Sequence, residues 1–230
     1  MSDNIEIRPV LDLHTHTLLS DGELGPAELG RRAFVNGYTV IGFADHVDQA
    51  TLEHNLTRTL IAVRALPTHL GLNILAGVEL THVPPYQIED LVVWSKEMGA
   101  QFVVVHGESP VEPVAPGTNQ AAIEAGADIL AHPGFITREL VALAKKRGVF
   151  LELSARPGHS LANGYVAKLA LEEGANLMVN SDAHDIGDIL TPATQRMVAL
   201  GAGLSQEQYL TMMDRVQGWT GYKLKDGLEE

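Results

Sequence analysis

Six times along the chain a glycine opens a short apolar run that a polar residue closes. The runs are GYTVIGFADH (37–46), GLNILAGVE (71–79), GAQFVVVH (99–106), GADILAHP (126–133), GVFLELS (148–154) and GANLMVNSD (174–182). An opening run, RPVLDLH (8–14), lacks only a preceding helix. Glycine commonly stops a helix because it tolerates the left-handed conformation at the position after the last turn. Apolar, β-branched runs of this length read as strands buried on both faces, the pattern of parallel sheets. Amphipathic stretches such as GPAELGRRAFVNG (25–37) and NGYVAKLALEEG (163–174) lie between them. Closing residues 46, 79, 106, 132, 154 and 182 follow one another at intervals of 22 to 33 residues, close to one βα unit each. Seven strands alternating with helices, without a linker or low-complexity break, predict one α/β domain over 1–230, built as a TIM-like (βα)7 barrel.

No eighth barrel strand is visible. Residues 191–230 read as C-terminal helices and a tail: Thr191-Pro192 suits a helix start, and Ser205 to Gln208 form a capping-box pattern. The terminal KLKDGLEE reads as a frayed end.

Composition narrows the chemistry. With 230 residues, 45% of them hydrophobic, the chain can bury a full core. The start MSDNIEIRPV lacks the pattern of a secretory signal, and no apolar stretch approaches the roughly 20 residues that span a bilayer, so a cytoplasmic protein is expected. The absence of cysteine removes disulfides and thiolate metal sites. A net charge of −13 argues against an extended nucleic-acid surface. No oligomeric state follows from the sequence.

In parallel α/β barrels the active site gathers at the C-terminal ends of the strands. Those ends carry His14 and His16, His46, Glu79, His106, His132, and Asp182 with His184, while Asp21 lies in the first loop. In the stretch DLHTHTLLSDG (12–22), alternation puts His14 and His16 on one face of a strand. Alone, that pair fits either a metal clip or two hydrogen-bonded strand histidines. The wider set decides: six of ten histidines fall at strand ends, which ordinary core histidines do not explain. Imidazole with carboxylate suits zinc, manganese or iron, and nine donors suit two to three such divalent ions.

HTH followed by SDG, then ADH (44–46), GVE (77–79), HG (106–107), AHP (131–133) and SDAH (181–184), resembles the PHP (polymerase and histidinol phosphatase) superfamily across nearly the whole chain. The resemblance implies a distorted barrel of seven βα units, up to three metal ions, and hydrolysis of phosphate esters by a metal-bridged hydroxide. It implies that His14, His16, Glu79 and Asp182 hold a first metal, with Glu79 bridging to a second on His106 and His132. Asp21, His46 and His184 resemble a third site, where some relatives have histidine in place of Asp21.

Further residues carry competing readings. Asp12 and Asn180 are candidates either to orient a ligand or to make hydrogen bonds inside the barrel. Arg156, in SARPGHS after the sixth predicted strand, GVFLELS, fits either a bidentate phosphate clamp or a surface arginine. His159 is a weaker substrate contact, and His54, His69 and His82 read as ordinary histidines.

The expectation is therefore a hydrolase acting on a small phosphomonoester, histidinol-phosphate-like or nucleotide-like. Asp182 would accept a proton while holding metal, and Arg156 would grip phosphate. A 3′ exonuclease or phosphodiesterase ranks second and would need a basic track. An amidohydrolase ranks third, because the run ending Val104-Val105-His106 lacks the lysine that usually bridges metals there. A non-catalytic metal-binding module ranks last.

Overall fold

The structure, a computed structural model, describes residues 7–66 and 71–226. In chain order the elements are β1 (Val10–Thr15), α1 (Pro26–Val35), β2 (Tyr38–Phe43), β3 (His46–Val47), α2 (Leu52–Ala65) and β4 (Asn73–Leu80). Next come α3 (Pro85–Glu97), β5 (Phe102–His106), α4 (Thr118–Glu124), β6 (Ile129–Ala131) and α5 (Arg138–Arg147). The chain then forms β7 (Phe150–Ser154), α6 (Asn163–Glu173), β8 (Asn176–Asn180), α7 (Pro192–Gly201) and α8 (Gln206–Asp226).

Every ladder is parallel, in the order β1-β2-β4-β5-β6-β7-β8, with β3 pairing only with β4. The sheet is a nearly closed, distorted TIM-like barrel. Its joint lies at the C-terminal rim, where Thr15 bridges Ala183. There Asp182 N donates to His14 O and His16 N to Ala183 O, each at 2.9 Å. The seam thus stitches His14 of β1, and His16 just beyond it, directly to the segment after β8.

The strands are buried along nearly their whole length, as their apolar runs require. Phe102, Leu13, Ile41 and Leu75 are fully enclosed, and burial of such side chains contributes roughly 1.5–3 kcal/mol each. Gly148 and Gly174 end α5 and α6 with φ of 76° and 73°, the left-handed stops the sequence pattern calls for.

The stretch 37–46 departs from the single expected strand. It ends at Phe43, passes Ala44 and Asp45, and resumes as the two-residue β3. The cause is Asp45, whose carboxylate turns inward to accept from Thr17 N at 2.7 Å, Thr17 Oγ1 at 2.8 Å and Ser20 Oγ at 2.8 Å. Interrupting the strand there ties it to the β1–α1 loop and brings His46 into register with Glu79.

Both expected helix starts are present. Thr191 and Thr194 form a reciprocal capping box with Pro192 in the first turn. Ser205 N donates to Gln208 Oε1 at 2.8 Å, and Gln208 N donates back to Ser205 Oγ at 3.2 Å. The C-terminal end does not fray at Lys223: α8 continues to Asp226, and Lys223 Nζ sits 2.8 Å from Asp128 Oδ1. Residues 227–230 of that tail, the start 1–6, and His69 lie outside the described residues. No helix among the described residues is long and apolar enough to cross a membrane.

Candidate metal centre

The rim collects all nine expected donors around Glu79. His14 Nε2 lies 3.2 Å from Glu79 Oε1, and His46 Nδ1 lies 2.6 Å from Glu79 Oε2. His106 Nδ1 is 3.3 Å, and His132 Nε2 3.9 Å, from Glu79 Oε1. Asp182 faces the same centre, with Oδ1 3.2 Å from His16 Nε2 and Oδ2 3.7 Å from His132 Nε2. On the outer side, Asp21 lies 3.4 Å from His46 Nε2 and 3.3 Å from His184 Nε2.

Metal-sized groupings follow, each with ligand atoms within 4.8 Å of one another: His16, Asp21, His46 and His184; His14, His16 and Asp182; His14, Glu79 and His132. Donors on one tetrahedral ion stand roughly 3.3 Å apart for bonds of about 2.0–2.1 Å. The observed spacings suit that geometry.

The chemistry of the unpartnered nitrogens makes the same point. His14 Nε2, both ring nitrogens of His16 and His132, and His106 Nε2 are buried without a hydrogen-bond partner. A buried polar group left unpaired costs about 1–3 kcal/mol, and such groups are rare. Among these, the nitrogens of His14, His16 and His132 face the carboxylates of Glu79 and Asp182, and lone pairs aimed at such a shared centre fit divalent metals. Burial alone would raise the Glu79 carboxyl, but His14 and His46 beside it hold it well below the usual range. Burial pushes His16 well below the ordinary imidazole value, with His46 and His14 adding to the effect. Glu79 as carboxylate and His16 as neutral imidazole are the ligating forms.

Several residues that carry no metal in the sequence reading fix these ligands. His14 Nδ1 donates to Glu152 Oε2 at 2.8 Å, and Asn180 Nδ2 donates to the same oxygen at 2.9 Å. Asn180 Oδ1 also accepts from Leu13 N at 3.0 Å. Asp12 braces the barrel interior, accepting from Tyr38 Oη at 3.0 Å and from the backbone of His14 and Ser181 at 3.2 Å. Burial pushes its carboxyl up to about 6. Asp12 and Asn180 thus make the in-barrel hydrogen bonds, and through them Asp12 contacts the backbone of His14 and Asn180 the Glu152 carboxylate that His14 also contacts.

Local backbone serves the site too. His132 and Asp182 adopt φ of 27° and 55°, left-handed values that re-aim both ligands as they leave their strands. Gly22 explains the SDG after the histidines. A Cβ there would lie 2.4 Å from His16 O, so only glycine lets the loop fold back and carry Asp21 over the cluster.

The cavity above the centre has a volume of about 460 Å³ and is lined in part by Asp21, His46, His106, Arg156, His159 and Asp182. Arg156 Nη1 donates to Asp182 O at 3.1 Å and lies 2.7 Å from His184 Nδ1. It is 3.6 Å from Asp188 Oδ2. His159 is buried, stacked on His132 with ring centroids 4.1 Å apart, and its Nδ1 contacts Ser109 Oγ at 2.6 Å.

Sequence reading missed Glu152, Glu112 and His82. Glu152 is an inward-facing carboxylate within the buried LELS run, a signal that was available. Glu112 sits in an irregular loop and contacts His82, His106 and His159 at 3.1–3.2 Å. His82 is not an ordinary surface histidine, because it lies on the cavity wall; His54 is exposed on α2, as expected.

The fold is a distorted TIM-like α/β barrel whose C-terminal rim gathers histidine and carboxylate donors suited to divalent metals. No family model matches the chain. An uncharacterised protein of Methanocaldococcus jannaschii is 43% identical over 199 residues, covering 86% of this chain and 91% of that protein. A protein of Caldanaerobacter subterraneus named "Probable phosphatase" is 30% identical over 210 residues, 82% of each chain. The DNA polymerase/3′-5′ exonuclease PolX of Bacillus subtilis is 27% identical over 195 residues, 76% of this chain but 34% of PolX. Among solved structures, a chain of archaeal ribonuclease P with mature tRNA superposes with a TM-score of 0.65 at 16% identity, covering 93% of each chain. The histidinol phosphate phosphatase of Lactococcus lactis, complexed with zinc, L-histidinol and phosphate, gives 0.55 at 13% identity over 85% of this chain and 94% of that one. The chain belongs to the PHP superfamily, and it is a hydrolase acting on phosphate esters.

Proposed function

We propose that the protein hydrolyses a small phosphomonoester, histidinol-phosphate-like or nucleotide-like, held between a cluster of two to three divalent metals and Arg156. The observation that carries the reading is the placement of the Arg156 guanidinium on the cavity wall beside Asp182 and His184. An anionic substrate entering that cavity meets a planar fork of donors suited to two phosphate oxygens.

The nine rim residues His14, His16, Asp21, His46, Glu79, His106, His132, Asp182 and His184 would hold the metals, with zinc, manganese or iron fitting their nitrogen and oxygen donors. Bound metals supply an acidified water and neutralise charge on the phosphoryl oxygens. Asp182 takes a proton from the attacking water at a carboxylate oxygen, and Arg156 orients the phosphate. His159, held by Ser109 and Glu112, lines the side from which the alcohol portion departs. A cavity of about 460 Å³ falls within the range of small-molecule sites.

The test is phosphate release from a panel of phosphorylated metabolites by protein loaded with zinc, manganese or iron. The panel includes histidinol phosphate and nucleoside monophosphates, with a phosphodiester and a single-stranded oligonucleotide as comparisons. Preferential turnover of monoesters supports the reading. Turnover confined to the diester or oligonucleotide would favour the exonuclease class, to which the likeness to PolX points.

A further inference from the structure

We propose that His82, His106 and Glu112 form an additional metal position on the outer wall of the cavity, one that takes a divalent transition ion such as zinc. Their ligand atoms lie within 4.8 Å of one another. Glu112 Oε2 stands 3.1 Å from His82 Nε2 and 3.2 Å from His106 Nε2, and the two imidazole centroids are 5.1 Å apart.

The decisive observation is the direction of His106. The residue is buried, with 3% of its surface exposed. Nδ1 turns to Glu79 in the inner cluster, whereas Nε2 has no hydrogen-bond partner and points to Glu112. Among the described residues His14, Glu79 and His132 already form a compact inner group without His106. The outward nitrogen of His106 is therefore available to a second centre.

Two imidazoles and one carboxylate make a donor set for zinc, iron or manganese, and three protein ligands leave positions open to solvent or substrate. All three residues line the cavity, with the side chains of His82 and Glu112 43% and 34% exposed, so an ion reaches the site from solvent. A divalent ion there would turn the charge of that wall from −1 on the Glu112 carboxylate to a net +1. That change would offer an anionic substrate a second anchor in the cavity that Arg156 also lines.

The test uses zinc alone as probe on the full chain. Zinc equivalents retained after loading and desalting are counted by elemental analysis for wild type, His82→Ala, Glu112→Gln and the double variant. The site requires wild type to hold one equivalent more than each single variant, with no further loss in the double variant. Anomalous scattering at the zinc edge should place a peak between Glu112 and His106 Nε2 in wild type and none there in Glu112→Gln. Equal zinc content in all four proteins, or no peak at that position, would overturn the proposal. Neither readout depends on turnover, so a failure to hydrolyse phosphomonoesters leaves the two questions separate.

Discussion

His14 donates its Nδ1 hydrogen to Glu152 at 2.8 Å, and this bond fixes the ring so that Nε2 faces the centre shared with Glu79, whose Oε1 is 3.2 Å away. A carboxylate only accepts, so the proton must sit on Nδ1. Partners of this kind are worth about 10- to 100-fold in metal affinity. Glu152→Ala should weaken zinc binding by that factor in competition with a chromophoric chelator. Glu152→Gln, whose amide oxygen still accepts from His14, should recover most of it. Wild-type affinity in the alanine variant would remove Glu152 from the site.

Gly22 makes the reach of Asp21 testable from a residue that ligates nothing. The Cβ of Gly22→Ala would collide with His16 O at 2.4 Å. Forcing such a contact costs about 1–3 kcal/mol, so the loop should shift and draw Asp21 away from His46 and His184. The barrel should persist by circular dichroism while metal content falls by about one equivalent. Full metal content with an unchanged melting temperature would show that the loop tolerates the methyl group.

The ligands should differ in weight. Five imidazoles lie within 3.9 Å of Glu79, so Glu79→Gln should abolish turnover and reduce binding of more than one metal. Among the described imidazoles Asp21 pairs with His46 and His184, so Asp21→Ala should empty mainly the outer group. Partial activity should return with excess metal. Near-native turnover and metal content in Glu79→Gln would exclude a bridging role.

Arg156→Ala tests the phosphate clamp. Hydrogen bonds to charged groups contribute about 1.5–3 kcal/mol each, and each 1.4 kcal/mol is about tenfold. Catalytic efficiency should fall about 10- to 1,000-fold, and inhibition by inorganic phosphate should weaken in parallel. Because Arg156 also bonds Asp182 O, metal content must be measured alongside; it should stay near wild type. Unchanged kinetics and unchanged phosphate inhibition would return Arg156 to a surface role.

Much of the site was legible because strand alternation and strand-end position are one-dimensional properties. His14, Glu79 and His106 could be placed before any coordinates, since each closes an apolar run, and His16 could be placed by alternation from His14. Side chains that act through irregular loops could not. Glu112 and Ser109 reach His159 from a loop without periodicity, and the φ of 53° at His82 aims its ring by a backbone conformation that residue type does not reveal. The split between β2 and β3 was hidden for a related reason. Asp45 breaks the strand through bonds to Thr17 and Ser20, more than twenty positions earlier in the chain.

The most direct test is to strip the protein of metal, reload it stepwise, and follow bound metal together with phosphate release from a phosphomonoester. The nine converging donors call for two to three tightly bound transition metals per chain, with hydrolysis absent in the stripped protein and rising as the cluster fills. Less than one metal per chain after reconstitution, or hydrolysis that is independent of loading, would contradict a metal-dependent phosphoesterase.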